Sequence, residues 1–175
     1  RDSAEACIDG ADFVITSIRV GGIAQRAKDE ATAIAHGVVG QETVGPAGFA
    51  MAVRTIPAMV HYGQLASRLA PKAWFVNFSN PVSVVSQAVH QHSDAKIIGI
   101  CDTPTETYED AAHALGLPPA ACDYDYFGLN HLGWLREVYF QGEPQMARLW
   151  DDDARLDAAY RTPVFEHERL RGMRL

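Results

Sequence analysis

The chain has 175 residues, of which 47% are hydrophobic and 21% charged, a composition typical of a globular domain. Its formal net charge of −7 argues against binding to nucleic acid, because proteins that bind the phosphate backbone generally carry a basic surface. No apolar run approaches the roughly 18 residues needed to cross a bilayer, so we expect no contact with a membrane.

Three cysteines at uneven spacing, Cys7, Cys101 and Cys122, do not form the pattern of a disulfide framework. No secretory signal is recognisable, and we therefore predict a reduced, cytoplasmic setting. The sequence begins at Arg1 without an initiating methionine, and we interpret it as part of a longer protein.

Short β-branched and apolar runs alternate with helical patterns along the first two thirds of the chain. We predict buried strands at residues 13–18, 74–78 and 97–101, helices at 29–36, 49–69 and 103–116, and a loop at 19–28. A further helix is predicted to start with Asn80 as its N-cap and Pro81 at its first position. This alternation is typical of a doubly wound, parallel, Rossmann-like α/β sheet.

The domain organisation follows from two changes of pattern. Doubly wound nucleotide-binding folds begin with a strand, a Gly-rich turn and a helix, and we expect that unit upstream of Arg1, since no such turn occurs here. Residues 124–129 and 134–140 are predicted to form antiparallel strands, with helix and loop at 143–175. We therefore divide the chain into a remainder of the Rossmann-like domain at 1–123 and the beginning of an α+β domain at 124–175.

Polar side chains follow each predicted parallel strand, at the edge of the sheet where ligands bind in such folds. Cys101 at the end of the third strand is either a buried, inert thiol or a thiolate that ligates a metal. His131 is either a half-buried structural histidine or a second ligand, and two ligands would leave coordination positions open for substrate.

Three charged residues also have two interpretations each. Asp102 either caps the following helix or transfers a proton beside a metal. Glu42 is either a solvated carboxylate in its Gly-rich loop or part of a site. Arg26 is either a surface charge or the bidentate partner of a substrate phosphate.

Six motifs occur in a fixed order: IRVGG at 18–22, GQETVGP at 40–46, RTIP at 54–57, NFSNP at 77–81, GICDTP at 99–104 and GLNHLGW at 128–134. In order and spacing they resemble glycoside hydrolase family 4, over roughly residues 10–140, with bacterial 6-phospho-β-glucosidases as the nearest group.

The resemblance implies that 6-phosphoglycosides are hydrolysed by an unusual route, because this NAD-dependent family departs from the two-carboxylate scheme of most glycosidases. The implied steps are oxidation at the sugar C3 by NAD, removal of the C2 proton, elimination of the glycosidic oxygen, addition of water, and reduction of the C3 ketone by the reduced cofactor. A divalent metal such as Mn²⁺ would stabilise the oxyanion that develops. The implied partner is a phosphorylated disaccharide or glycoside, and the implied assembly is a homo-dimer or homo-tetramer.

The resemblance also implies roles for individual residues. The metal ligands are Cys101 and His131, and Asp102 is the acid that assists the leaving group. Arg26 is implied to bind the substrate phosphate. The sugar is implied to contact Glu42, Asn80 and Asn130, and the cofactor to contact Thr16, Ser17 and Arg19. The family's tyrosine base is expected beyond residue 175, so we expect the chain by itself to be inactive.

Two other functions fit the same pattern of elements. An NAD-dependent hydroxy-acid dehydrogenase would share the sheet topology but would need neither the Cys–His pair nor the phosphate-binding arginine. A catalytically incomplete domain that binds a nucleotide is the second alternative.

Overall fold

A computed structural model of the chain describes residues 3–159 and 166–173. Within them the chain forms two compact units, divided in sequence between Cys101 and Asp102. Among the described residues, no helix is long and apolar enough to cross a bilayer.

The first unit alternates helices with short strands. Its elements are α1 (Ala4–Ile8), β1 (Phe13–Thr16), α2 (Gly22–Ala35), α3 (Gly45–Leu69), β2 (Trp74–Asn77), α4 (Val82–His92) and β3 (Lys96–Gly99). The three strands form a parallel sheet in the order β1-β2-β3, with Thr16 opposite Asn77 and Asn77 opposite Gly99. The carboxyl ends of all three strands therefore lie at one edge, as the sequence predicts.

The core of the first unit lies on one face of this sheet. Phe75 of β2 is almost fully buried there, against Met59 of α3 and Val85 and Val89 of α4. On the opposite face, the described part of the chain leaves four large apolar side chains exposed: Phe13, Ile15, Trp74 and Ile98.

Two local predictions in this unit are wrong. The predicted loop at 19–28 is mostly helix, because α2 already begins at Gly22. Gly21 has a φ of 88° and Gly22 a φ of 65°, which lets the chain turn tightly, with Gly22 N donating to Arg19 O, before the helix starts. Asn80 is not the N-cap of α4, since Pro81 holds that position and the helix begins at Val82.

The second unit contains α5 (Thr103–Ala114), β4 (Cys122–Leu129), β5 (Leu132–Phe140), β6 (Glu143–Pro144), α6 (Met146–Trp150), α7 (Asp153–Ala159) and α8 (His167–Met173). The strands β4, β5 and β6 form an antiparallel sheet. Leu135 and Val138 of β5 are buried together with Leu115, which follows α5, and with Leu149 of α6.

The fold class predicted from the sequence is confirmed: a parallel, Rossmann-like α/β sheet is followed by an α+β segment. In the structure α5 packs with the antiparallel strands of the second unit. The domain boundary at 123/124 stays a prediction, as do the roles of the two segments it separates.

Candidate functional site

Asn77, the last residue of β2, organises the carboxyl edge of the parallel sheet. Its side chain is fully buried, and its Oδ1 accepts hydrogen bonds from the backbone N of Ser79 at 2.8 Å and from Oγ1 of Thr16 at 3.4 Å. Its Nδ2 donates to Oγ of Ser86 on α4 at 3.1 Å. The ends of β1 and β2 and helix α4 are thereby fixed to one another.

A second connection joins the loops that follow β1 and β2. The backbone N of Ile18 donates to Oγ of Ser79 at 2.8 Å. Buried polar groups need such partners, because an unsatisfied one costs about 1–3 kcal/mol. The loops that carry Arg19 and Asn80 therefore start from a defined backbone position.

The Glu42 carboxylate lies between these two loops. Nη1 of Arg19 is 2.7 Å from its Oε2, and Nδ2 of Asn80 donates to its Oε1 at 3.3 Å. Oε1 also accepts a hydrogen bond from the hydroxyl of the neighbouring Thr43. Oε2 is buried, and its contact with Arg19 is an ion pair that lacks hydrogen-bond geometry, so this oxygen has no hydrogen-bond donor among the described residues.

The charge state of Glu42 follows from this environment. Burial by itself would raise the pKa of Glu42, but the Arg19 guanidinium, the Thr43 hydroxyl and Arg26 stabilise the carboxylate and lower the pKa below its ordinary value. Glu42 is therefore a charged acceptor of hydrogen bonds at neutral pH.

Glu42 lines a small cleft whose wall contains three arginines and three carboxylates. Its charged lining residues are Arg19, Arg26, Asp29, Glu30, Glu42 and Arg54. Besides Arg19 with Glu42, Nε of Arg26 lies 2.7 Å from Oε1 of Glu30, and both Nη groups of Arg54 contact the Asp29 carboxylate. Each cation has one anionic partner, so the charges of the cleft lining balance.

Asp29 and Arg54 join α2 to α3, and neither residue is assigned a role in the sequence analysis. Burial raises the pKa of Asp29, but hydrogen bonds from Arg54 and Gln25 outweigh it and hold the pKa below the usual range. Arg54 is the first residue of the RTIP motif, and this position was the sequence feature that could have marked it as a site residue. Asn77 was missed in the same way, although it opens the NFSNP motif.

The residues predicted to contact the cofactor lie at the end of β1. Thr16 is buried and its hydroxyl donates to Val76 O and Asn77 Oδ1, whereas Ser17 is exposed. The structure thus places Thr16 in the hydrogen-bond network of the sheet edge. Arg19, the third predicted cofactor contact, is the ion-pair partner of Glu42.

Cys101 and Asp102 stand at the division between the units. In the first unit, Ile100 N donates to Asn77 O, which holds the segment after β3 against the end of β2, and the next residue, Cys101, is half-buried. In the second unit, Asp102 is exposed and holds the N-cap position of α5.

Asn130 and His131 form the two-residue turn of the β4–β5 hairpin, between the paired residues Leu129 and Leu132. Both are half-buried, and His131 has a φ of 57°, which is uncommon for a residue with a side chain. Such positions often belong to functional sites, where the side chain is retained despite the strain. Among the described residues, no group of three or more His, Cys, Asp or Glu side chains is arranged to hold a metal ion.

A family profile described as "Family 4 glycosyl hydrolase" matches residues 1–117 of the chain. The curated 6-phospho-alpha-glucosidase 1 of Lacticaseibacillus paracasei is 40% identical over 139 residues, which are 78% of this chain and 31% of that protein. The chain thus spans about a third of the length of this relative.

Solved structures support the same relationship. The 6-phospho-beta glucosidase of Thermotoga maritima, solved with manganese, NAD⁺ and glucose-6-phosphate, is similar with a TM-score of 0.86 and 27% identity, over 99% of this chain and 42% of that one. The lactate dehydrogenase of Eimeria maxima, solved with NADH and oxamate, has a TM-score of 0.62 and 17% identity, over 91% and 46% of the respective chains, which shows a shared fold alone.

Proposed function

Because the chain belongs to the family 4 glycosyl hydrolases, we propose that its full-length protein hydrolyses 6-phosphoglycosides with NAD and a divalent metal ion. The observation that carries the proposal is the Glu42 carboxylate, held between Arg19 and Asn80 beyond the ends of β1 and β2. Ligands of open α/β sheets bind at this edge, so the cluster lies where a sugar and its cofactor are expected.

The donor atoms of the chain fit the two groups that the proposal requires. Thiolate and imidazole suit borderline divalent metals, and we propose that Cys101 and His131 each supply one ligand, which leaves positions for sugar oxygens. Thr16, Ser17 and Arg19 are proposed to face the cofactor. When bound, NAD would accept a hydride from the sugar, and the metal ion would offset negative charge on the sugar oxygens.

The side chains of the cleft orient the substrate in this proposal. Glu42 stays ionised because its pKa is lowered, so it accepts hydrogen bonds from sugar hydroxyls. Asn80 beside it and Asn130 in the hairpin turn are proposed to contact the same sugar. Arg26 binds the 6-phosphate, and Asp102 exchanges a proton with the leaving oxygen.

The cellular setting belongs to the same proposal. All three cysteines are free thiols, which fits a reducing, cytoplasmic environment. The homo-oligomer and the choice between the α- and β-anomer stay predictions, since the relatives include a 6-phospho-alpha-glucosidase and a 6-phospho-beta glucosidase.

The test uses the full-length protein and matched chromogenic glucosides, α and β, with and without the 6-phosphate. After the metal ion is removed with a chelator and NAD is removed by dialysis, we expect turnover of a phosphorylated glucoside only when both NAD and Mn²⁺ are restored. In D₂O the released sugar should carry deuterium at C2, since the proposed route removes that proton. Turnover without NAD, or a product without deuterium, would contradict the route, and oxidation of 2-hydroxy acids would favour the dehydrogenase alternative.

A further inference from the structure

The three arginines of the cleft use different N–H groups for their ion pairs. Arg54 directs both Nη groups at the two oxygens of Asp29. Arg19 directs Nη1 at Glu42. Arg26 uses Nε, which donates to Oε1 of Glu30 at 2.7 Å.

Together with the exposure of each side chain, this difference favours Arg26 as the guanidinium that is open to a ligand. Bidentate recognition of a phosphate uses two parallel N–H donors of one guanidinium. No described residue accepts a hydrogen bond from the Nη groups of Arg26, and this side chain is also the most exposed of the three, at 40% against 28% for Arg54 and 26% for Arg19.

We propose that Glu30 is a positioning residue, which holds the guanidinium of Arg26 through Nε and so presents both Nη groups to the substrate phosphate. The inference rests on the proposed function, which assigns the phosphate to Arg26. Glu30 acts through Arg26, and no contact of its own with the substrate is required.

The backbone at Glu30 supports such a role. The loop that carries Glu42 crosses α2 at this point, and a Cβ added to Gly40 would lie 2.8 Å from the backbone O of Glu30. Glu30 and Arg26 are also one helical turn apart on α2, where side chains four residues apart are neighbours. The carboxylate thus starts from a position fixed by the helix and by the loop above it.

The charge of Glu30 has a second, opposite effect, because a carboxylate repels a phosphate dianion. Substitutions separate the two effects. Glu30→Gln removes the charge but keeps an oxygen that accepts the Nε hydrogen bond. Glu30→Ala removes both, and Glu30→Asp keeps the charge on a side chain that is one methylene shorter.

The experiment measures binding of glucose 6-phosphate and of glucose to the full-length protein by titration calorimetry, with KM and kcat alongside. Lys28→Ala, at an exposed position of the same helix, is the control for truncating a long side chain on α2, and Glu30→Gln is the control for the lost charge. We expect Glu30→Ala and Glu30→Asp to bind glucose 6-phosphate at least about fivefold more weakly than Glu30→Gln. In the first two variants Arg26 is no longer held in place, so its charge-assisted hydrogen bonds to the phosphate are weakened. KM should follow this order, while kcat and glucose binding stay within about twofold of the wild type.

Equal affinity of Glu30→Ala and Glu30→Gln for glucose 6-phosphate would overturn the inference, whatever the fold stability of either variant. An Arg26→Ala protein that binds the phosphorylated sugar like the wild type would instead overturn the phosphate assignment itself, and the inference with it. Weakened binding in Arg26→Ala together with equal binding in all Glu30 variants would leave the proposed function in place and remove the role of Glu30.

Discussion

Nη1 of Arg19 lies 2.7 Å from Oε2 of Glu42, and this ion pair connects the loop after β1 to the loop before α3. The second oxygen of the same carboxylate accepts a hydrogen bond from Asn80, which follows β2. A carboxylate that holds three segments together is sensitive to the loss of any one partner.

Replacing Arg19 with Gln should raise the pKa of Glu42, because burial raises it and the guanidinium that contributes most to lowering it would be gone. In the wild type the pKa of Glu42 is lower in the folded than in the unfolded protein. The Arg19–Glu42 pair therefore stabilises the fold fully at a pH above the unfolded-state pKa of Glu42. This stabilisation is lost as the pH falls through the folded-state pKa. A carboxyl NMR titration, assigned with Glu42→Gln, measures the shift directly. Arg68→Gln, at an exposed position of α3, should leave the Glu42 titration unchanged.

Asn77→Ala should lower the free energy of unfolding by about 2–3 kcal/mol, since it leaves the buried backbone N of Ser79 without its acceptor and removes the hydrogen bonds to Oγ1 of Thr16 and Oγ of Ser86. Urea unfolding followed by circular dichroism measures the loss. Ser83→Ala on the exposed side of α4 is the matched control and should change the midpoint little. A neutral Asn77→Ala variant would mean that water replaces these contacts.

Arg26→Ala should lower kcat/KM on a 6-phosphoglucoside at least about tenfold, which corresponds to about 1.4 kcal/mol and is less than one charge-assisted bond contributes. The unphosphorylated glucoside should be turned over as before, because it never uses this contact. Matched specificity constants for both substrates check the prediction. Equal losses on both would show that Arg26 shapes the cleft, and Arg19 would become the candidate for the phosphate.

Cys101→Ser should abolish Mn²⁺-dependent activity in the full-length protein while the fold survives, because the side chains are nearly isosteric and the packing loss is below about 1.5 kcal/mol. Cys7→Ser, at an exposed position of α1, is the control. Titration with Mn²⁺ followed by electron paramagnetic resonance reports binding independently of turnover. Unchanged metal affinity would return Cys101 to the interpretation as an inert thiol.

His131→Gly separates stability from metal binding in the hairpin turn. Glycine adopts the left-handed conformation without the roughly 1–2 kcal/mol that a side chain costs there, so we expect the variant to unfold no more easily than the wild type. Its affinity for Mn²⁺ should nevertheless fall at least about tenfold, since a ligand is lost. A variant that is destabilised but binds Mn²⁺ normally would assign His131 a structural role alone.

The sequence predicted the elements whose patterns are local. The runs around Phe75 and Ile97 and the paired aromatic runs on either side of Asn130 became strands because alternation and β-branching are properties of neighbouring residues. The start of α2 was missed because Gly21 and Gly22 are typical of loops, and here their left-handed turn leads into a helix.

The site was predictable as a set of motifs but not as a set of contacts. Glu42 and Asn80 were singled out separately, 38 residues apart, and only the fold shows that they share a hydrogen bond. Asp29 and Arg54 were missed because neither residue type is unusual on an exposed helix, and the pair exists only where α2 packs on α3.

The uncovered face of the parallel sheet has a practical consequence for the chain in solution. Phe13 and Ile15 are 64% and 71% exposed on β1, which is an edge strand of the described sheet. Apolar surface beside unpaired backbone groups promotes aggregation, and a net charge of −7 opposes it only while salt is low. Light scattering of the isolated 175-residue chain should therefore increase with concentration, and more steeply as ionic strength rises.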